Sequence, residues 1–215
     1  MTEKSKAALD LDSIMSNQHS ETVKWQEDGK RHQKKVTMQD PGIGVAMQMM
    51  DLVNIGNEQS DYGTLFDLVM QRCLIDPHFT YEGLNKDLDK DVQKKTVVKQ
   101  NKQGQNANIN MVFPGYRSAI QIVMMFNKSD GASNFLGTLQ SLNSEVFRKN
   151  NHTVVDMAYW EPGGPADGLG FVAMTEALKF LADILQKDGV LNILTAGFQF
   201  CVQELRPKPR KLINW

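Results

Sequence analysis

Apolar positions along the chain alternate between short period-two runs and helical stripes, separated by loops rich in Pro and Gly. Residues 1–21 are polar and weakly patterned, with at most a short helical stretch around Ala7–Met15, and are expected to form an arm. Val23 and Trp25 then alternate with polar residues, Asp28-Gly29 is a hairpin-turn signal, and Val36 and Met38 resume the alternation. That pattern predicts a β-hairpin over 22–38. Asp40-Pro41-Gly42 ends the extended stretch and opens a helix that runs to Val53 with only Gln48 and Asp51 clearly polar. After a polar loop, Leu65, Leu68, Val69 and Cys73 fall at helical spacing. Asp76-Pro77-His78 stops that helix, and Thr80 is placed to cap the next one, with Phe79 and Leu84 as a hydrophobic staple.

Residues 93–108, rich in Lys, Gln and Asn, read as a linker. Beyond it a short strand precedes Pro114-Gly115 and a Met-rich helix. Phe135, Leu139, Leu142 and Val146 mark a second amphipathic helix, Thr153–Trp160 reads as extended, and the Pro/Gly run 161–170 reads as a flexible loop. Two further helices end near Gly189 and residue 205. The fold expected from this pattern is mainly α with a small N-terminal β-hairpin. It comprises two helical modules, 22–92 and 109–205, with a basic tail over 206–215.

The modules share an order. Laying Pro41 on Pro114 matches Gly42 with Gly115, Ala46 with Ala119, Gln48 with Gln121 and Asn54 with Asn127. A slip of one residue then lays Gly63-Thr64-Leu65 on Gly137-Thr138-Leu139, Leu68 on Leu142 and His78 on His152. Each copy reads as extended segment, Pro-Gly, Met-rich helix, polar loop and amphipathic helix, a scaffold suited to binding extended partners.

Charge adds little direction: 24 Lys+Arg against 25 Asp+Glu leave a net charge of −1, which argues against a dedicated nucleic-acid or membrane-surface protein. The two cysteines lie in apolar runs and read as buried thiols of a reducing compartment. No secretory apolar region follows Met1, and no apolar run reaches the roughly 20 residues a membrane span needs, so a soluble cytoplasmic protein is expected. Chemistry-bearing motifs fail on inspection. The four histidines have no ligand-spaced partner. Asp87, Asp89 and Asp91 open like a calcium loop, but Val92 and Val98 stand where Gly and Glu are required. The Gly-rich run at 163–170 lacks the lysine and hydroxyl of a phosphate loop. Cys73 with His78 has no orienting carboxylate. Neither a catalytic group nor a cofactor is expected.

Methionine is the unusual component, with 12 in the chain. Met47 and Met50, with Met124 and Met125 in the second module, are candidate partner-binding residues, because a flexible, polarizable side chain adapts to several apolar helices. Arg206, Arg210 and Trp215 of the tail are further candidates, as a docking peptide.

The segment GTLFDLVMQRCLIDPHFTYEGLNKDL, preceded by the hairpin and its Pro-opened helix over 22–92, resembles the tail assembly chaperones of long-tailed phages of Gram-positive bacteria. The resemblance implies a non-enzymatic protein of the host cytoplasm. It would bind the tape measure protein before the tail tube forms, with self-association a further expectation, and be absent from the finished particle.

Overall fold

The computed structural model describes residues 18–27, 29–53, 60–127, 132–149 and 153–203. Strands β1 (Gln18–Glu27) and β2 (Lys30–Gln39) form the expected hairpin, and β3 (Leu74–Asp76) joins the far edge of β2. Helices α1 (Ile43–Val53) and α2 (Tyr62–Arg72) lie between β2 and β3, and α3 (Tyr81–Asp87) follows them. Thr80 caps α3 by accepting the Gly83 amide at 3.0 Å.

A second sheet then corrects the expected fold class. Strands β4 (Lys94–Gln100) and β5 (Asn106–Val112) pair antiparallel where the sequence suggests a linker over 93–108. Helices α4 (Tyr116–Phe126) and α5 (Phe135–Glu145) follow, then β6 (Phe147–Lys149) and β7 (Thr153–Val154), giving the order β4-β5-β6-β7. Among the described residues 26% lie in strands and 53% in helices, so the protein is an α/β mix rather than mainly helical with one small hairpin. The physical reason lies in β5. Ala107, Ile109 and Met111 are buried while Asn106 and Asn108 face water, a period-two pattern hidden by the Asn-rich composition.

Strands β4, β5 and β6 and helices α4 and α5 each start or end 73 residues after a counterpart in the first unit. Ile43 answers to Tyr116, Tyr62 to Phe135, Leu74 to Phe147, and the strand ends Glu27 and Gln39 answer to Gln100 and Val112. Local bonds repeat as well. The Gln39 amide donates to the Cys73 carbonyl at 2.8 Å, and the Val112 amide to Val146 at 3.0 Å. Met38 sits opposite Leu74, and Met111 opposite Phe147. Gly42 and Gly115 both take positive φ, +81° and +95°, in which the chain turns from strand into helix, a conformation costly for any residue with a Cβ. Because the loops before α2 and α5 are equally long, the one-residue slip suggested by the sequence is absent from these elements. Val69, rather than Leu68, is the counterpart of Leu142, and both accept the amide that ends their helix.

Helices α6 (Gly170–Gln186) and α7 (Val190–Gln203) close the structure. Helix α6 packs on α4 and α5, and α7 on α1, α2 and the first hairpin, so one continuous apolar core spans both units. The run 161–170, expected to be a flexible loop, is instead strapped to the β4–β5 turn. Asp167 accepts from the Gly163 amide at 3.2 Å and from Gln103 at 3.3 Å, while Asn101 donates to the Pro165 carbonyl at 3.4 Å. Two lysines of β4 are likewise engaged within the molecule, with Lys99 and Lys95 lying 3.0 and 3.9 Å from the Glu176 carboxylate on α6.

Candidate partner-binding surface

Helix α1 carries the most exposed of the expected residues. Met47 is 58% exposed and Met50 45%, and Ile43 at 72% completes a stripe spaced by four and three along one face. Ala46 and Met49 are buried on the other side. This division resolves the adjacent pair: Met49 is core and Met50 is surface. Met124 and Met125 are only partly exposed, and Met124 packs on the core. The structural counterparts of Met47 and Met50 are Ile120 and Val123, so the two methionine groups occupy different positions in their units. Arg206, Arg210 and Trp215 lie outside the described residues.

Helix α4 shows what the same face does when covered. Ile120, the counterpart of Met47, is buried and α2 of the first unit packs alongside α4, while Tyr116, the counterpart of Ile43, is buried against Phe113 with its amide donating to Asn85 of α3. Arg117 donates to the Thr64 hydroxyl at 2.7 Å. Gln121 donates to the Ser60 carbonyl at 2.7 Å and accepts from the Gly63 amide at 3.1 Å. The Arg117 stem runs across Gly63, where an added Cβ would stand 3.0 Å from Arg117 Cγ. The Tyr81 hydroxyl completes the junction on the Gly63 carbonyl at 2.9 Å, and burial raises its pKa above that of an ordinary phenol.

Asp61 is the hinge of this junction. It caps α2 by accepting from the Thr64 amide at 2.8 Å and hydroxyl at 2.6 Å. Partial burial pushes its carboxyl upward, but the Thr64 bonds and the nearby Arg117 charge outweigh burial and hold it below the usual carboxylate range. A group whose folded pKa is depressed stabilises the fold above its unfolded pKa, and that contribution disappears as pH falls through the folded value. Asp61→Asn keeps a competent cap but removes the titration. Urea midpoints at pH 7 and pH 3 should therefore fall less in the variant than in the parent chain; an equal fall in both would contradict this role.

No family model, curated protein or solved structure matches the chain.

A second apolar patch escapes the sequence reading. Phe135 and Leu136 at the start of α5 lie beside Phe171 and Val172 at the start of α6, and all four are exposed. The rings of Phe126, Phe135 and Phe171 form a chain with centroids 5.6 and 5.9 Å apart. These positions belong to helices separated in sequence, so no single periodic stripe announces them. The Cys73–His78 pairing does not persist as a reactive thiol. Cys73 is fully buried, its thiol donates to the Gly197 carbonyl at 3.5 Å, and contact with Cys201 together with burial pushes its pKa up. Among the described residues no group of three His, Cys, Asp or Glu side chains is placed to hold a metal, and no helix is long and apolar enough to cross a membrane.

Proposed function

We propose that the chain is a phage or prophage tail assembly chaperone, a non-enzymatic protein that binds the tape measure protein in the host cytoplasm. The observation that carries this reading is the open stripe Ile43, Met47 and Met50 on α1. Anchors spaced by four and three fit the apolar face of another helix, and methionine lets the surface adapt to successive segments of a long client. The resemblance of residues 22–92 to that family supplies the identity of the client; the stripe supplies the means. Pairing of Lys95 and Lys99 with Glu176 turns part of the basic segment toward the protein itself, which favours a protein client over nucleic acid.

Co-expression with the tape measure protein encoded beside it tests the reading. The client should become soluble and co-elute with the chain on sizing. Met47→Asp should weaken the complex at least tenfold, a difference of about 1.4 kcal/mol. An unchanged client solubility, with no complex, would remove the proposal. A structural tail, neck or connector subunit is the second reading, favoured by two like units set in sequence with apolar patches on both α1 and the α5–α6 end. Proteomics of purified particles separates the two, because a chaperone is missing from them and a structural subunit is present.

A further inference from the structure

We infer that a second copy of this chain covers α1, docking head to tail so that α5 of one molecule lies on α1 of the next as α2 lies on α4 within the molecule. The inference goes beyond the chaperone reading and needs no client.

Its basis is the internal repeat. Within the chain, the second helix of the first unit covers the first helix of the second unit. Continuing the same relation beyond the chain places α5, the counterpart of α2, against an α1. Exposed positions for this contact lie on both surfaces. On α1, Ile43, Gly44, Met47, Gln48, Met50 and Asp51 face water, whereas Ile120, the counterpart of Met47, is buried and Gln121, the counterpart of Gln48, accepts from the Gly63 amide of α2. On α5, Leu136 is 61% exposed while its counterpart Gly63 is buried under Arg117.

The residues at the two junctions differ in a compensating way. Inside the chain a large Arg117 crosses a small Gly63. In the continued contact a large Leu136 meets Gly44, the counterpart of Arg117, around which an added Cβ would meet nothing within 4 Å among the described residues. The bulk has changed sides, and the fit is kept. The charges change together as well. Arg117 donates to Thr64, with the Asp61 carboxylate near enough to feel its charge, and where the arginine becomes Gly44 these two become Gly137 and Asn134, so the acid and the cation are lost together. Gln48 keeps the amide that Gln121 uses to span Ser60 and Gly63. A contact of this kind joins unlike surfaces, so it builds rings when the rotation closes and filaments when it does not. A client helix and a second copy compete for α1.

Sedimentation velocity on the purified chain, from about 1 µM to about 1 mM, tests the inference without any client. The wild-type chain should grow with concentration beyond a dimer. Met47→Asp blocks only α1 and Leu136→Asp only α5; both sites are exposed, so circular dichroism should be unchanged, and each variant alone should sediment as a monomer. Mixed in equal amounts they should form a dimer that grows no further, because one intact α5 meets one intact α1. Gly44→Arg, which refills the notch while favouring the helix, should also prevent association. A wild-type chain that stays monomeric throughout overturns the inference. So does association that survives Leu136→Asp but not Met47→Asp, which would mean α1 pairing with α1 or with another segment of its own chain. Loss of client binding with this association intact would instead count against the chaperone reading alone.

Discussion

Phe147→Ala should lower the stability of the protein by about 4 kcal/mol, read as a shift of the urea midpoint at constant slope. Phe147 is 1% exposed on β6, opposite Met111 of β5. Its ring meets the Trp160 indole edge-on at 5.1 Å, and Trp160 is itself held by donation to the Asn143 side chain at 2.9 Å. Truncation leaves a ring-sized void between a sheet and a side chain that cannot follow it inward without giving up that bond. The aromatic contact contributes about 1 kcal/mol of the total beyond area burial. Against a whole-domain stability of about 5–15 kcal/mol, a loss of this size is readily measured. The counterpart Leu74→Ala removes fewer atoms from the first sheet and should cost less, at about 3 kcal/mol. A loss below about 1 kcal/mol for Phe147→Ala would show that the second sheet is not packed as described.

Gly164→Ala should cost about 3 kcal/mol, although the residue sits in a surface turn. A Cβ there would lie 2.3 Å from the Ala158 carbonyl oxygen and 2.7 Å from that of Tyr159. Both are backbone atoms, so no rotamer change relieves the clash. Moving them would disturb the bonds from the Ala166 amide to Tyr159 at 3.0 Å and from the Gly168 amide to Trp160 at 3.1 Å, which fold the turn back on itself. Gly163→Ala provides the contrast. Its φ of +84° disfavours a side chain, but an added Cβ meets nothing within 4 Å among the described residues, so only the conformational cost of about 1 kcal/mol applies. Amide exchange at residues 166–168 should rise in Gly164→Ala and stay near the parent value in Gly163→Ala; equal effects in both would contradict the close approach.

The first hairpin, α1, α2 and the Thr80 cap could be read from the chain because each is fixed by local chemistry: a turn pair, a Pro-Gly opening, a helical stripe, a hydroxyl before an orphan amide. The β4–β5 hairpin could not, because its lysines and asparagines carry the polar half of a period-two pattern whose apolar half is only Ala107, Ile109 and Met111 on one strand. The loop 161–170 was misleading for a related reason. Composition reports that its backbone can bend, while its order comes from Asn101, Gln103 and Asp167, which are brought together only by the fold. At the candidate surface, periodicity found Met47 and Met50 but could not separate them from Met124 and Met125, whose burial depends on packing against other elements. Leu136 and Phe171 carry no such signal, because they become neighbours only when α5 and α6 meet. The duplicated order is legible from Pro41 and Pro114 onward, and its constant offset lies in the element boundaries.

Central to the proposed function, α1 offers sulfur-bearing side chains to a partner while the equivalent face of α4 is closed. Oxidation of the unmodified chain by dilute hydrogen peroxide, followed residue by residue by mass spectrometry, measures this directly, because thioether oxidation follows access to solvent. In dilute protein Met47 and Met50 should reach the sulfoxide well before the buried Met38, Met49, Met70 and Met111, and concentrating the protein or adding the client should slow those two alone. Met49 oxidising as fast as Met50, or Met47 and Met50 gaining no protection under either condition, would contradict that role for α1.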